Sequence, residues 1–294
     1  MNEGKQSEAA KTPLIERVAE LSMSLSQKHL EAYGATRSRH DFTQRQLMSC
    51  LILRAYLQTT YRGVLDILAS SQSLRQRLGL TDKLPHFTTL QKFSARSQVV
   101  QIAQKIVAAI GQEVAANHAE KVEVAMDATG LERTTASDYF CSRRGRRFRR
   151  WVKVSVVVIC GFLVPTALVV DLNPTHDCKH AEELLPQAQA IQPTKLYADP
   201  GYDAEWIHVQ CREESGVESV IPAVTRRRDG TIGGKWRARM TQQYLKKAQY
   251  GRRWSAESFF SAMKRTMGSA LKARRPDQML AEAAIRVLAY AIRR

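Results

Sequence analysis

Hydrophobic residues recur at helical spacing along the first 118 residues of the chain. The pattern predicts helices within TPLIERVAELSMSLSQKHLEAYG, TQRQLMSCLILRAYLQ and YRGVLDILAS. A turn and then one long helix, with Thr88 as its N-cap, are predicted for LPHFTTLQKFSARSQVVQIAQKIVAAIGQEVAANH. Short helices before a capped helix are typical of helix-turn-helix DNA readers, and a plain helical bundle would give the same pattern.

The hydrophobic pattern changes near residue 120, where short apolar strands begin to alternate with helices. Strands are predicted at KVEVAMD, KLYAD and VESVIPA, and a hairpin that turns at CGF joins VKVSVVVIC to FLVPTALVVDLN. Helices are predicted from an Asp177 N-cap, at about 203–214, around Glu257, and at the amphipathic DQMLAEAAIRVLAYAIRR. This order predicts an α/β fold, a mixed β-sheet flanked by helices and preceded by an all-helical region.

The charge of the chain is strongly positive and unevenly distributed. The formal net charge is +17, and the pI is about 9.9. Residues 222–294 hold 18 Lys/Arg and 4 Asp/Glu, while residues 143–153 hold 7 cations and no acid. Such runs can be solvated surface, but cations that neutralise phosphates release counterions and gain affinity, so we expect a nucleic-acid partner. Charge alone does not distinguish DNA from RNA. The candidate phosphate contacts in the second run are Arg146, Arg147, Arg149 and Arg150.

Cysteine usage and hydropathy bear on the compartment in which the protein works. The five cysteines are scattered and odd in number, which favours a reducing compartment over a disulfide framework. The opening MNEGKQSEAAK has no apolar run typical of a secretory signal. The most apolar run, residues 154–170, is too short to span a bilayer. We therefore expect a cytoplasmic location and no membrane partner.

Three acidic residues are candidates for a catalytic site. Asp127 and Asp199 each close a predicted strand, and ligands gather at the carboxyl ends of strands in open α/β sheets. If these strands are neighbours, the two carboxylates need a counter-ion, and a divalent cation is the usual one. Glu257, the only acid between Asp229 and Asp277, would complete a site for two Mg²⁺ ions that perform phosphoryl transfer. Each acid also has a structural alternative, since the aspartates suit turns and the glutamate suits an ion pair four residues back.

Polar residues around Glu257 would share one side of a helix. If residues 250–264 are helical, Tyr250, Arg253, Glu257 and Lys264 lie on one narrow stripe. Such a stripe suits a helix that faces both a metal and a phosphate backbone. Two tryptophans in basic surroundings could stack on unpaired bases or pack in the core, and for Trp254 core packing is favoured. The candidate DNA contacts here are Tyr250, Arg252, Arg253, Lys264, Lys235 and Trp236.

Four residues at fixed spacing carry a resemblance to a known family. Tyr250, Arg253, Glu257 and Lys264 match the signature Y-(2)-R-(3)-E-(6)-K of bacterial insertion-sequence transposases of the DDE superfamily. DATG and ADPGYD resemble the first and second acidic motifs of that family, and NPTHDCKHAEELL resembles the segment after its hairpin. TYRGVLDILASSQSLRQRLGL and LPHFTTLQKF look like its N-terminal region. The resemblance covers essentially the whole chain and is densest over residues 120–294.

The resemblance implies an RNase H-like catalytic domain in residues 119–294, with a basic excursion at about 225–249, after a helical DNA-binding region in residues 1–118. It implies that the three acids bind Mg²⁺, with Mn²⁺ able to substitute. Its activity would be hydrolysis at the ends of an insertion sequence, followed by attack of the freed 3′-OH on target DNA. Its partners would be the terminal inverted repeats of its own element, target DNA and further copies of the chain, as a homodimer or higher assembly. The expected location is the bacterial nucleoid.

Two other functions remain open at this stage. An RNase H-like nuclease would cut DNA without joining it. A non-catalytic DNA-binding protein derived from a transposase would bind without cutting, although the presence of all three acids does not favour it. The formation of strand-transfer products distinguishes these functions from transposition.

Overall fold

The computed structural model describes residues 12–37, 39–118, 120–133, 151–173 and 175–294. The predicted DNA contacts Arg146, Arg147, Arg149 and Arg150 lie outside these ranges. The described helices before the sheet are α1 (Leu14–His29), α2 (Gln44–Tyr56), α3 (Tyr61–Ser70), α4 (Gln72–Arg77), α5 (Phe87–Ser94) and α6 (Gln98–Ala116).

A five-stranded sheet follows, built from β1 (Glu123–Glu132), β2 (Trp151–Ile159), β3 (Val164–Asp171), β4 (Lys195–Ala198) and β5 (Glu218–Val220). The strand order is β3-β2-β1-β4-β5. The first three strands form an antiparallel meander, and β4 and β5 add in parallel to β1. This confirms the predicted fold class, an RNase H-like mixed sheet flanked by helices and preceded by a helical region.

Helices and short turns of the second half connect and cover the sheet. The helices are α7 (Asp177–Gln189), α8 (Glu205–Val209), which continues as a π-helix (Gln210–Glu214), α9 (Gln242–Lys247), α10 (Trp254–Met267) and α11 (Pro276–Arg293). The 3₁₀ turns are Pro200–Tyr202, Arg237–Arg239 and Tyr250–Arg253.

Several predicted boundaries are wrong for identifiable reasons. The long helix predicted from Thr88 is two helices, α5 and α6, with a break between them. Asp177 is the first residue of α7 instead of its N-cap, and its side chain pairs with Lys153. β1 runs five residues beyond Asp127, because the antiparallel pairing with β2 continues to Glu132 after the pairing with β4 has stopped.

The core extends across the predicted boundary at residue 118. One hydrophobic cluster contains side chains of α1 to α6, one face of the sheet, α10 and α11. The helix predicted at residues 277–294 is present as α11, but every residue of 281–292 is buried, so this amphipathic helix has no solvent-exposed polar side over that stretch. The charges that suggested a polar face, Glu282 and Arg286, are paired at 2.7 Å inside the protein, and Glu282 also pairs with Arg54 of α2 at 3.2 Å. Whether residues 1–118 act as a DNA-binding unit stays a prediction.

A second cluster fills the opposite face of the sheet, between β1, β2, β3, β4 and the helices α7 and α8. The edge of the sheet where the pairing of β1 with β4 ends therefore lies between these two hydrophobic clusters. In the part of the chain that the structure describes, no helix has the length and apolar character needed to cross a membrane.

Candidate active site

Asp127 and Asp199 are brought side by side by the parallel pairing of β1 with β4. The pairing of β1 with β4 ends at Met126 and Ala198, and the two aspartates are the next residues after these positions. Adjacent strands lie about 4.8 Å apart, so the aspartates occupy one edge of the sheet. Asp127 Oδ1 accepts a hydrogen bond from the following amide at 2.8 Å, and Asp199 Oδ1 accepts one at 2.9 Å from the amide two residues ahead. The expected proximity of the two strands is confirmed.

Glu257 approaches this edge on α10, which packs across β1 and β2. Its carboxylate accepts a hydrogen bond from the Arg253 guanidinium, and its side chain is 43% exposed. The ion-pair alternative for Glu257 therefore describes the contact that this side chain makes in the structure. The charge of Arg253 also acts to lower the pKa of Asp127 and of Asp199. Arg253 is thus a shared counter-ion for the three acids.

Burial makes ionisation unfavourable at the two aspartates. The pKa of Asp127 is raised from 3.8 to about 6, chiefly by burial and also by the negative charges of Asp199 and Glu257, against the opposing amide hydrogen bond and Arg253. Burial likewise raises the pKa of Asp199, with an added contribution from the charge of Asp177. The single positive charge of Arg253 does not balance the negative charges of the acids around it. The site therefore has an excess of negative charge that a further cation would relieve.

A divalent cation fits this donor set. Carboxylate oxygens are the ligands that Mg²⁺ prefers, and the two aspartates are half-buried, close together and without a lysine partner in the contacts of the described chain. Among the described residues, no three metal-ligating side chains already converge to hold an ion. Glu257 is engaged by Arg253 instead, so metal binding would require this carboxylate to exchange one cation for another.

The predicted stripe on a single helix is only partly correct. Tyr250 and Arg253 belong to a 3₁₀ turn that precedes α10, while Glu257 and Lys264 belong to α10 itself. The Arg253 guanidinium lies 5.8 Å from the centre of the Tyr250 ring, and both side chains are half-buried. Lys264 Nζ donates a 2.6 Å hydrogen bond to Thr129 Oγ1 on β1, two residues beyond the first aspartate. Burial lowers the pKa of this lysine. These side chains therefore border the acids even though the helix starts later than expected.

The tryptophans and the remaining cations differ in their availability to DNA. Trp254 is 68% exposed, so the interpretation that favoured core packing for it is wrong. Arg252 is engaged by Glu123 at the start of β1. Trp236 donates through Nε1 to Glu213 at 2.7 Å, and Lys235 pairs with the same carboxylate at 2.7 Å. Their contact with DNA stays a prediction, and each except Trp254 would have to share or leave a partner in this chain.

Part of the basic excursion is anchored beside the site. Asp203 is fully buried and accepts two hydrogen bonds, at 2.6 and 2.7 Å, from the Arg237 guanidinium. The pairing with Arg237 and the amide of Val224 holds the pKa of Asp203 below its ordinary value against the opposing effect of burial. The anchor therefore ties the segment after β5 to the turn that follows Asp199.

Sequence reasoning missed three groups beside the acids. Asp177 was interpreted only as a helix cap, and Lys153 and Tyr202 were given no role. A signal existed for Lys153, because Lys153 and Ser155 alternate in an otherwise apolar strand and must face the same side of the sheet. Tyr202 is only three residues beyond Asp199, in the 3₁₀ turn that follows it, but the proximity of Asp177 to Asp199 had no local signal, because it depends on how α7 packs on the turn after β4.

The mixed sheet with acidic residues where β1 and β4 diverge defines a protein of the RNase H-like class. Residues 118–292 match the transposase DDE domain family, and the chain belongs to that family. Among solved structures, the chain is similar to the piggyBac transposase in a cryo-EM structure of its synaptic complex with hairpin DNA. That similarity has a TM-score of 0.45 and 9% identity, and it covers 96% of this chain and 72% of that chain. No curated protein matches the chain significantly.

Proposed function

We propose that the protein is a transposase that cleaves DNA at the ends of its own insertion sequence and joins the freed ends to target DNA. The observation that supports this most directly is that Asp199, Glu257 and Arg253 all lie close enough to Asp127, at the edge of the sheet, for their charges to act on its pKa. Membership of the transposase DDE domain family gives this cluster of acids its chemical context.

The three acids would hold Mg²⁺, or Mn²⁺ in its place. When bound, such ions supply Lewis-acid polarisation of the scissile phosphate and neutralise charge that develops in the transition state. Asp127 and Asp199 have the backbone hydrogen bonds needed to keep their carboxylates oriented. Glu257, at the exposed side of the cluster, is the acid that must leave Arg253 to take part.

The side chains around the acids would position DNA. Arg253 becomes available for a phosphate once Glu257 releases it, and a guanidinium can bind two phosphate oxygens at once. Lys264, fixed by Thr129, would contact a neighbouring phosphate. Trp254 offers an exposed ring for stacking on an unpaired base. These contacts would set the register of the scissile bond against the acids.

Binding of the element's ends is assigned to residues 1–118 and to the basic segments. We propose that the terminal inverted repeats are bound as double-stranded DNA and that two or more copies of the chain assemble on paired ends in the bacterial nucleoid. The net charge of +17 supports a polyanionic partner.

The function is tested with purified protein and a labelled duplex that carries an end of its own element. Wild type, Glu257→Gln and Glu113→Gln, an exposed glutamate of α6 that serves as the charge-matched control, are compared with Mg²⁺, Mn²⁺ and EDTA. We expect metal-dependent cleavage and later joined products from wild type and the control, and neither from Glu257→Gln. Asp127→Ala and Asp199→Ala are expected to behave as Glu257→Gln does, with DNA binding retained.

The alternatives predict different products. Cleavage without joined products would identify a nuclease on the same fold. DNA binding without cleavage under every metal would identify a non-catalytic DNA-binding protein. Cleavage retained in any of the three acid variants would remove that residue from the site.

A further inference from the structure

A fourth carboxylate lies beside the predicted ligands. Asp177, the first residue of α7, directs Oδ2 to within 2.8 Å of the point where a Cβ on Gly201 would stand, and Asp199 Oδ1 lies 2.9 Å from the same point. The two carboxylates therefore meet over a glycine that has no side chain to separate them. α7 packs on the face of the sheet opposite to α10, so Asp177 approaches Asp199 from that face.

The position of Asp177 is held by contacts that do not involve the other acids. Lys153 Nζ pairs with Asp177 Oδ1 at 2.6 Å, and the lysine side chain is only 10% exposed. Lys153 also donates to the carbonyl oxygen of Thr175, which precedes α7. Cys178 Sγ donates to the carbonyl oxygen of Gly201 at 3.2 Å, so the first turn of α7 is tied to the turn after Asp199. These contacts fix the distance between the two carboxylates.

A buried hydroxyl points to a polar ligand at this place. Tyr202 is fully buried, and its hydroxyl has no hydrogen-bond partner in the described chain, since the neighbouring Ser155 hydroxyl is bonded to His180 Nδ1 at 2.7 Å. The charges that act on the hydroxyl are those of Asp177, Asp127 and Asp199, so it faces the carboxylates from inside the protein. Buried hydroxyl groups are normally hydrogen bonded, and a ligand or its water among the carboxylates would supply the missing partner.

An open cleft reaches the carboxylate of Asp177 from the solvent side. Its volume is about 540 Å³, and Thr129, Lys153 and Asp177 are among its lining residues together with the exposed edge of Trp151. The cleft begins at Ala128, directly after the first aspartate of the site. The carboxylate of Asp177 therefore has one side open to solvent.

We propose that Asp177 is a fourth acidic residue of the metal site, which shares a divalent cation with Asp199, and that Lys153 is the counter-ion that holds Asp177 in place when the cation is absent. The inference rests on the proposed metal-dependent function. The simpler interpretation is an ion pair that only stabilises the start of α7, since a carboxylate in the first turn of a helix is favourable there. The two interpretations differ in what they predict for metal binding, separately from catalysis.

The test is calorimetric titration of the full chain with Mn²⁺ in the absence of DNA. Asp177→Asn is expected to weaken Mn²⁺ binding by about 10- to 100-fold, the usual range for a residue that supports a metal site. Lys153→Met is expected to tighten it, because Asp177 then has no competing cation. The matched control is Asp277→Asn, which also removes a first-turn aspartate with an arginine partner, but from α11. Its Mn²⁺ affinity is expected to equal that of wild type.

Weaker Mn²⁺ binding in Asp177→Asn together with tighter binding in Lys153→Met supports the proposal. If the ion pair were purely structural, both variants would have a lower unfolding temperature and neither would have a changed Mn²⁺ affinity. Wild-type affinity in Asp177→Asn overturns it. Asp127→Asn separates this failure from a failure of the proposed function. If Asp127→Asn loses Mn²⁺ binding while Asp177→Asn keeps it, only the role of Asp177 is wrong, and if both keep it, the metal site itself is wrong.

Discussion

The replacement of Asp127 by asparagine should make the metal-free protein more stable while it removes activity. Asparagine has nearly the same shape, and its carbonyl oxygen can accept the amide hydrogen bond that Asp127 Oδ1 now accepts at 2.8 Å. What the change removes is a carboxylate whose ionisation is opposed by burial and by two neighbouring acids. The protein therefore carries an unfavourable charge at this position, as the proposed metal-binding role of Asp127 would require.

The size of the effect follows from the pKa of Asp127, which is about 6 in the folded chain against 3.8 ordinarily. Because the folded chain holds this proton more tightly than the unfolded chain, ionisation destabilises the fold as the pH rises from about 4 to about 6. The full difference corresponds to about 3 kcal/mol at pH 7. Asp127 is half-buried and partly screened by solvent, so we expect a gain of about 1–2 kcal/mol.

The assay is thermal unfolding of wild type and Asp127→Asn at pH 7 and at pH 4, each with EDTA and with Mg²⁺. A gain of this size raises the unfolding temperature by about 2–8 °C in a chain of this length. The gain should shrink at pH 4, where the wild-type carboxyl is protonated in the folded chain. Mg²⁺ should raise the unfolding temperature of wild type and leave the variant unchanged, because a ligand of the folded state stabilises it by mass action.

The control for net charge is Asp82→Asn, which removes one negative charge from an already basic protein, as Asp127→Asn does, but at an exposed position. A lower unfolding temperature for Asp127→Asn than for this control, at pH 7 with EDTA, would refute the reasoning. It would mean that Asp127 is ionised at low free-energy cost and stabilises its surroundings. An equal response of wild type and variant to Mg²⁺ would show that the ion binds elsewhere.

Three further perturbations test other contacts. Glu282→Ala leaves two arginines buried without their counter-charge and should lower the free energy of unfolding by about 3–5 kcal/mol in urea denaturation. Gly201→Ala places a methyl group 2.9 Å from Asp199 Oδ1 and should weaken Mn²⁺ binding about 10-fold by calorimetry, with little change in unfolding temperature. Thr129→Val removes the hydrogen bond that orients Lys264 and should slow DNA cleavage about 10- to 100-fold, whereas Thr129→Ser should retain the rate.

Each of these expectations has a contradicting outcome. An unchanged urea midpoint in Glu282→Ala would mean that the two arginines reach water or another acceptor once the carboxylate is gone. Wild-type Mn²⁺ affinity in Gly201→Ala would mean that the aspartate can move aside and still bind. Equal cleavage rates for the valine and serine variants of Thr129 would show that the hydroxyl does not position Lys264.

The elements that were predicted correctly are those that depend on neighbouring residues. The β2–β3 hairpin was recognised from two apolar runs and a glycine turn, and Gly161 indeed has a φ of 84° at that turn. The candidate acids Asp127, Asp199 and Glu257 were found from their place after apolar strands and from motif spacing. The pairing of β1 with β4 then placed the two aspartates as neighbours. Their catalytic role is still a prediction.

The features that were missed or misjudged depend on contacts between distant parts of the chain. The polar residues of α11 are buried because Glu282 pairs with Arg286 and also with Arg54, which lies 228 residues away in the chain. Core packing was favoured for Trp254, but this side chain, at the start of α10, is 68% exposed.

The amino-acid sequence alone determined the order of helices and strands, the class of fold and the three candidate acids. Local hydrophobic periodicity, turn chemistry and fixed spacing are short-range properties that can be seen without knowing which elements touch. Only the tertiary structure brought Lys153 and Asp177 to the edge of the sheet beside Asp199. That arrangement depends on strand register and on the packing of α7 across the sheet, and neither is specified by any local pattern of residues.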